Sequence, residues 1–155
     1  MELVVDTACY CCDSPMSTPL KGLQILIVDD DPDTLVLFDM ALAQAGATVL
    51  MADSVGIALQ MLDQHPPNVV ISDIQMPHAS GHTLIQIIRS RATDGQPQLP
   101  AIAVTAHARD SDRLEAIAAG FDRFLTKPVD PDMLVNAVVE LLCSHGLMTG
   151  DAGQR

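Results

Sequence analysis

The stretch ILIVDDDPD, residues 25–33, sets four apolar residues against four aspartates in the next five positions. A short continuous apolar run is what a strand buried on both faces requires. Local structure accounts for two of the acids that follow. Asp31 can cap a helix, and Pro32 fits its first position, where a missing N–H costs nothing. Asp33 suits the positive end of the helix dipole. Asp29 and Asp30 have no such local use, and their adjacent charges repel.

Outward from this point the chain alternates. LQILIV (23–28) reads as a strand, and a helix follows from Pro32 to about Ala45 with Leu35, Phe38 and Leu42 on one side and Gly46 in the stop position. ATVLMA (47–52) is a second strand; Asp53 falls at the helix start beside Ser54, which caps a helix carrying Ala58, Met61 and Leu62 as far as Pro66 and Pro67. NVVIS (68–72) is the third strand and ends at Asp73. The loop QMPHASG then leads to a helix with Leu84, Ile87 and Ile88 inward. After TDGQPQLP, AIAVT (101–105) is the fourth strand, and a helix from about Ser111 to Ala119 turns Leu114, Ile117 and Ala118 inward before Gly120. RFLT (123–126) is the fifth strand. The last helix begins near Asp130 and Pro131 and buries Leu134, Ala137, Val138 and Leu141.

Strands alternating with helices imply an α/β fold, a parallel sheet covered on both faces. Such sheets place their sites at the carboxyl ends of the strands, where strand order reverses. Those ends present Asp29 and Asp30, then Asp73, Thr105, and Thr126 leading to Lys127 and Pro128. If the first and third strands are neighbours, three carboxylates meet. At about 4 to 5 Å and an effective dielectric near 20, each like-charged pair costs roughly 3 to 4 kcal/mol. Mg²⁺, which takes hard oxygen ligands and keeps part of its water shell, removes that cost. Lys127 can meet a second anion and the Thr105 hydroxyl can donate to it. An anion held in this way over a carboxylate is what phosphoryl transfer to aspartate needs, with Asp73 as nucleophile.

Composition narrows the setting. The chain has 155 residues, enough for one well-cored domain, and with 48% hydrophobic but 3% aromatic residues its core is aliphatic. A net charge of −12 argues against nucleic acid or an anionic membrane as direct partner. With no span-length apolar run and no secretion signal, the expectation is a soluble cytoplasmic protein without membrane insertion. Residues 1–21 read as a mobile tail or linker, 22–143 as the domain and 144–155 as a C-terminal tail. Cys9, Cys11 and Cys12 lack the paired spacing of zinc sites and read as reduced thiols on the tail; Cys143 reads as a small core residue. His65, His78, His82 and His145 read as surface or loop residues, with nothing arranging them as ligands.

Over about residues 22–143 the sequence resembles the receiver domain of two-component response regulators. The likeness rests on ILIVDDDPD, VVISDIQMPHASG, AIAVTAHA and AGFDRFLTKPVD, in the family's order and spacing. It implies a doubly wound, flavodoxin-like (βα)5 fold of five parallel strands in the order 2-1-3-4-5. It also implies that Asp29 and Asp30 are metal-site acids, that Asp73 is the phosphoacceptor and that the backbone carbonyl of Gln75 is a further Mg²⁺ ligand. By the same resemblance Thr105 and Lys127 bind the phosphoryl group and the Lys127–Pro128 peptide is cis. Phe124 stands at the aromatic switch position, often Tyr, that moves together with Thr105 and alters the surface of the fourth helix, fifth strand and fifth helix. Gln75 and His107 occupy the places that govern phosphoryl lifetime. The implied partners are a sensor histidine kinase or histidine phosphotransfer protein and a downstream protein target. The resemblance further implies a domain that catalyses its own phosphorylation and dephosphorylation without being a metabolic enzyme.

Three rival readings fit the residues less well. An EF-hand loop fails at Thr34, where glycine is needed, and at Met40, where a bidentate glutamate is needed. A Mg²⁺-dependent phosphatase of the haloacid-dehalogenase type wants D-x-D-x-[TV] after the first strand, which DDDPDT does not give. A non-phosphorylated docking module is disfavoured by the complete acid, Thr and Lys set. After the fifth helix SHGLMTGDAGQR is too short for a winged helix, so output is expected through a protein contact, or else the chain is the tail of a hybrid histidine kinase.

Overall fold

The structure, a computed structural model, describes residues 19–76, 80–91, 99–106 and 109–144. Along these the order is β1 (Gln24–Val28), α1 (Pro32–Gln44), β2 (Thr48–Ala52), α2 (Val55–Gln64), β3 (Val69–Asp73), α3 (Gly81–Ser90), β4 (Ala101–Thr105), α4 (Asp110–Ala119), β5 (Arg123–Thr126) and α5 (Pro131–Ser144). The strands form one parallel sheet in the order β2-β1-β3-β4-β5, as expected for a doubly wound flavodoxin-like fold. No described helix is long and apolar enough to cross a membrane.

The apolar runs are the buried strands, for a physical reason. β3 and β4 are buried at every position because helices cover both faces. Ile25, Ile27, Ile71, Ile102 and Val104 pack with α1 and α5 on one side; Leu26, Val28, Val70 and Ala103 pack with α2 and α3 on the other. Each fully buried aliphatic side chain contributes about 1.5–3 kcal/mol relative to exposure. β2, at the sheet edge, exposes Thr48 and Met51. Leu20, ahead of β1, is also fully buried, and its N–H bonds the carbonyl of Ala45.

Asp31 caps α1 by accepting from the N–H of Asp33 at 3.2 Å, with Pro32 at the first position. Ser54 does the same for α2, accepting from the N–H of Ile57 at 3.2 Å. Gly46 and Gly120 sit at positive φ just past α1 and α4, the conformation that stops a helix. Leu35, Phe38, Leu42, Ala58, Leu134, Ala137, Val138 and Leu141 are buried as their periodicity requires. Met61, Leu62 and Cys143 are half-buried against the core.

Two helices differ from their expected faces. In α3, Leu84 and Ile88 are buried, but Ile85 takes the place expected for Ile87, which is half-buried. In α4, Leu114 is 68% and Ile117 45% exposed, Ala118 is exposed as well, and Ala116 is the buried residue. The α4 pattern fits two stripes, and size favours the wrong one. What meets this helix is the alanine-lined sheet face of Ala101 and Ala103 together with Phe121, so small residues, the buried Ala116 and the half-buried Ala119, make the contact.

Arg89, at the end of α3, ties the far edge of the sheet together. It donates to the Gly120 carbonyl at 3.0 and 2.7 Å, to the Leu99 carbonyl at 2.6 Å and to Asp122 Oδ2 at 3.1 Å. Asp122 Oδ2 in turn accepts from the N–H of Ala101 at 3.0 Å. Arg89→Met leaves two carbonyls and a half-buried carboxylate short of donors, so a loss of about 2–4 kcal/mol is expected in urea unfolding. A loss below about 0.5 kcal/mol, the range of an ordinary surface substitution, would show the network to be dispensable.

Candidate functional site

β1 and β3 are neighbours at the point where strand order reverses, so their carboxyl ends open into one crevice. Asp29 follows β1 and is 1% exposed; Asp73 ends β3 and is 6% exposed; Asp30 projects outward. One carboxylate oxygen from each of Asp29, Asp30 and Asp73 lies within 4.8 Å of the others. The condition set for convergence in the sequence is therefore met in space.

Asp29 and Asp73 are each oriented by the loop that follows them. Asp29 Oδ1 accepts from the N–H of Asp31 at 2.9 Å, and Asp73 Oδ1 from the N–H of Gln75 at 3.3 Å. Lys127 reaches back from the loop after β5. Its ammonium donates to Asp29 Oδ2 at 2.9 Å and stands 3.5 Å from Asp73 Oδ2. The Lys127–Pro128 peptide is cis, and the N–H of Lys127 bonds the Thr105 carbonyl at 2.7 Å. Thr105 ends β4 beside Thr126 and is 1% exposed.

Two charge shifts follow. Burial, then the charge of Asp29, raise the Asp73 carboxyl above its usual range, against the lowering influence of Lys127 and the Gln75 N–H. Burial alone would lower Lys127, but its hydrogen bond to Asp29 and the charges of Asp29 and Asp73 raise it on balance. The ammonium bonds Asp29 at the shorter distance, so Asp73 is left as the less well compensated carboxylate.

The donor set suits a hard cation. The converging ligand atoms are carboxylate oxygens, with neither imidazole nor thiolate among the described residues of the cluster, and oxygen-only ligation with an open outer side is what Mg²⁺ takes. Gln75 is exposed at the crevice rim. Phe124 lies on β5 next to Ala103, half-buried, and lines a groove with Ile117, Met133 and Ala137. His107 falls outside the described residues, as do His78, His145, Cys9, Cys11 and Cys12.

Sequence reasoning missed two contributors and misplaced a third. Ser72 is fully buried, and its hydroxyl donates to the Asp73 carbonyl at 2.9 Å. Gly81 opens α3 against the end of β3: a Cβ there would collide with the Asp73 carbonyl oxygen and come within 3.1 Å of Ser72 Oγ. A glycine starting a helix soon after a strand is the signal for such close approach. His82, read as a surface or loop residue, is a half-buried member of α3.

Comparison with known proteins agrees with the geometry. A family model described as the response regulator receiver domain matches residues 25–139. An uncharacterized 14.6 kDa protein of Leptolyngbya boryana is 44% identical over 77% of this chain and 89% of its own length. The transcriptional regulatory protein GlrR of Escherichia coli K12 is 37% identical, and there the match covers 79% of this chain but spans 27% of GlrR. The structure of a CheY-like receiver domain protein from Methanospirillum hungatei is 30% identical, covering 82% of this chain and 97% of the other, with a TM-score of 0.71. With the acidic crevice, the parallel sheet and the matched segment in agreement, the chain belongs to the receiver-domain family of two-component response regulators.

Proposed function

We propose that Asp73 accepts a phosphoryl group from a phosphohistidine on a sensor histidine kinase or histidine phosphotransfer protein. The observation that carries this reading is the Asp73 carboxylate at a strand end, grouped with Asp29 and Asp30 and 3.5 Å from the Lys127 ammonium. An Asp73 oxygen attacks phosphorus; the new O–P bond forms as the donor's N–P bond breaks. The released electron pair stays with the imidazole, which takes up a proton. Mg²⁺, held by Asp29, Asp30, Asp73 and the Gln75 backbone carbonyl, would supply neutralisation of the phosphoryl oxygens. Lys127 turns its ammonium to a phosphoryl oxygen, and the Thr105 hydroxyl donates to another. The side chains of Gln75 and His107 then set how easily water reaches the acyl phosphate.

Movement of Thr105 toward the phosphoryl group opens space for Phe124, so the output is a shift between two packings of α4, β5 and α5. Phenylalanine carries no hydroxyl, so this switch works by ring packing. The unit so used runs over about residues 22–143, flanked by segments 1–21 and 144–155, and acts in the cytoplasm on a protein target.

Acetyl phosphate with Mg²⁺ tests the chemistry. Intact mass should show a single phosphoryl group per chain, removed by hydroxylamine as an acyl phosphate is. A hydroxylamine-resistant ester, or equal incorporation with the divalent cation chelated, would count against the reading.

A further inference from the structure

Among the described residues, His82 Nε2 is the buried side-chain polar atom with no hydrogen-bond partner. A buried nitrogen left unpaired is costly, and its persistence asks for a reason. His82 stands in α3 between two grooves, one lined by Ile74, Gln75 and Met76 of the loop after Asp73, the other by Gln86, Ala118 and Ala119. Glu115 of α4 lines both. It is exposed and takes no partner among the described residues. Asp112, the other acid of this wall, is already paired with Arg109 at 3.2 Å.

The seating of α4 is uneven. Its far end is anchored, since Arg89 holds the Gly120 carbonyl and Phe121 is 3% exposed. Ala116 is its one buried residue, and its N-cap, Arg109, makes no side-chain capping bond. A helix fixed at one end and lightly packed at the other pivots at low cost. Its loose end follows β4, whose last residue is Thr105.

We propose that His82 is a positioning residue for the switched state: when α4 pivots toward α3, His82 Nε2–H donates to the Glu115 carboxylate. The unpaired nitrogen of the resting packing becomes a catch that holds the second packing. This rests on Asp73 being the phosphoacceptor, because phosphorylation is what releases the helix.

The test uses the whole chain as wild type, His82→Leu, Glu115→Ala and the double variant. Two quantities are read: the thermal midpoint without ligand, and the affinity for beryllofluoride, a phosphoryl mimic, in the presence of Mg²⁺. His82→Leu should keep or raise the midpoint, because it removes an unpaired buried nitrogen, yet weaken beryllofluoride binding about five- to tenfold. Glu115→Ala, at an exposed position, should weaken it similarly, and the double variant no more than either single one. A purely structural histidine would not move the two readouts in opposite senses. Wild type that fails to bind beryllofluoride overturns the phosphoacceptor reading and the catch with it. Wild type that binds, with Glu115→Ala unaffected or with losses that multiply in the double variant, overturns the catch alone.

Discussion

Asp73→Asn is expected to abolish phosphoryl incorporation from acetyl phosphate and, at pH 7 without divalent cations, to raise the thermal midpoint. The first effect follows from removing the oxygen proposed as the nucleophile. The second follows from the sign of the charge shift. Burial and the neighbouring Asp29 raise the Asp73 carboxyl in the folded chain above its ordinary value of 3.8. Between the unfolded and folded values the folded chain holds more protons, so the stability Asp73 contributes falls as pH rises through that window. At neutral pH the ionised side chain is a net cost. Asparagine keeps the shape and drops the charge, while Lys127 retains its 2.9 Å bond to Asp29. The gain, of the order of 1 kcal/mol, should shrink as pH falls toward the unfolded value and the wild-type carboxyl becomes neutral. Mg²⁺ should narrow it as well, since cation binding stabilises the wild type by mass action. A midpoint lowered by the substitution at pH 7, or phosphoryl incorporation that survives it, contradicts the assignment of Asp73.

The sequence made this site legible because a parallel sheet concentrates its chemistry where apolar runs stop. Ile25–Val28 ending in Asp29, and Val69–Ser72 ending in Asp73, needed no coordinates to be paired as candidates, only the rule that strand ends at a reversal share a crevice. Helix faces were less legible where two stripes compete. Leu114 and Ile117 have the size of core residues, yet α4 meets the sheet through Ala116, and nothing in a linear pattern gives the distance between layers. The exposure of Ile117 leaves an apolar surface beside Phe124 and Met133, on the face proposed to change with the switch. His82 differs for a related reason: the grooves beside it are walled by α4, an element about thirty residues later, so no local rule for histidine could reveal its surroundings.

Gly81→Ala should be strongly damaging for a single added methyl, although alanine is the better helix former. The backbone conformation of Gly81 is not one reserved for glycine, since its φ is not positive, so the cost is one of space alone. The added Cβ would meet the Asp73 carbonyl oxygen and stand 3.0 Å from Ile74 Cα, both backbone atoms that no rotamer can move aside. The N–H of Gly81 is also bonded to the Ile74 carbonyl at 2.9 Å, so α3 cannot back away without breaking that link. Overpacking of this kind costs about 1–3 kcal/mol or more, exceeding the sub-kcal/mol gain in helix propensity. Gly56→Ala in α2 is the matched control: the nearest atom to its new Cβ is Ser54 Oγ at 4.0 Å, so propensity acts alone and the variant should be slightly stabilised. The functional loss in Gly81→Ala should exceed what partial unfolding explains, because relief of the clash displaces the strand end that aims Asp73. Misplacing a reacting group by about 1 Å costs up to roughly 100-fold in rate. Urea unfolding of the two variants, with phosphorylation rates measured where each is fully folded, separates the effects. Wild-type stability and rate in Gly81→Ala would mean that the junction of β3 and α3 yields freely, and that the position of Asp73 does not depend on it.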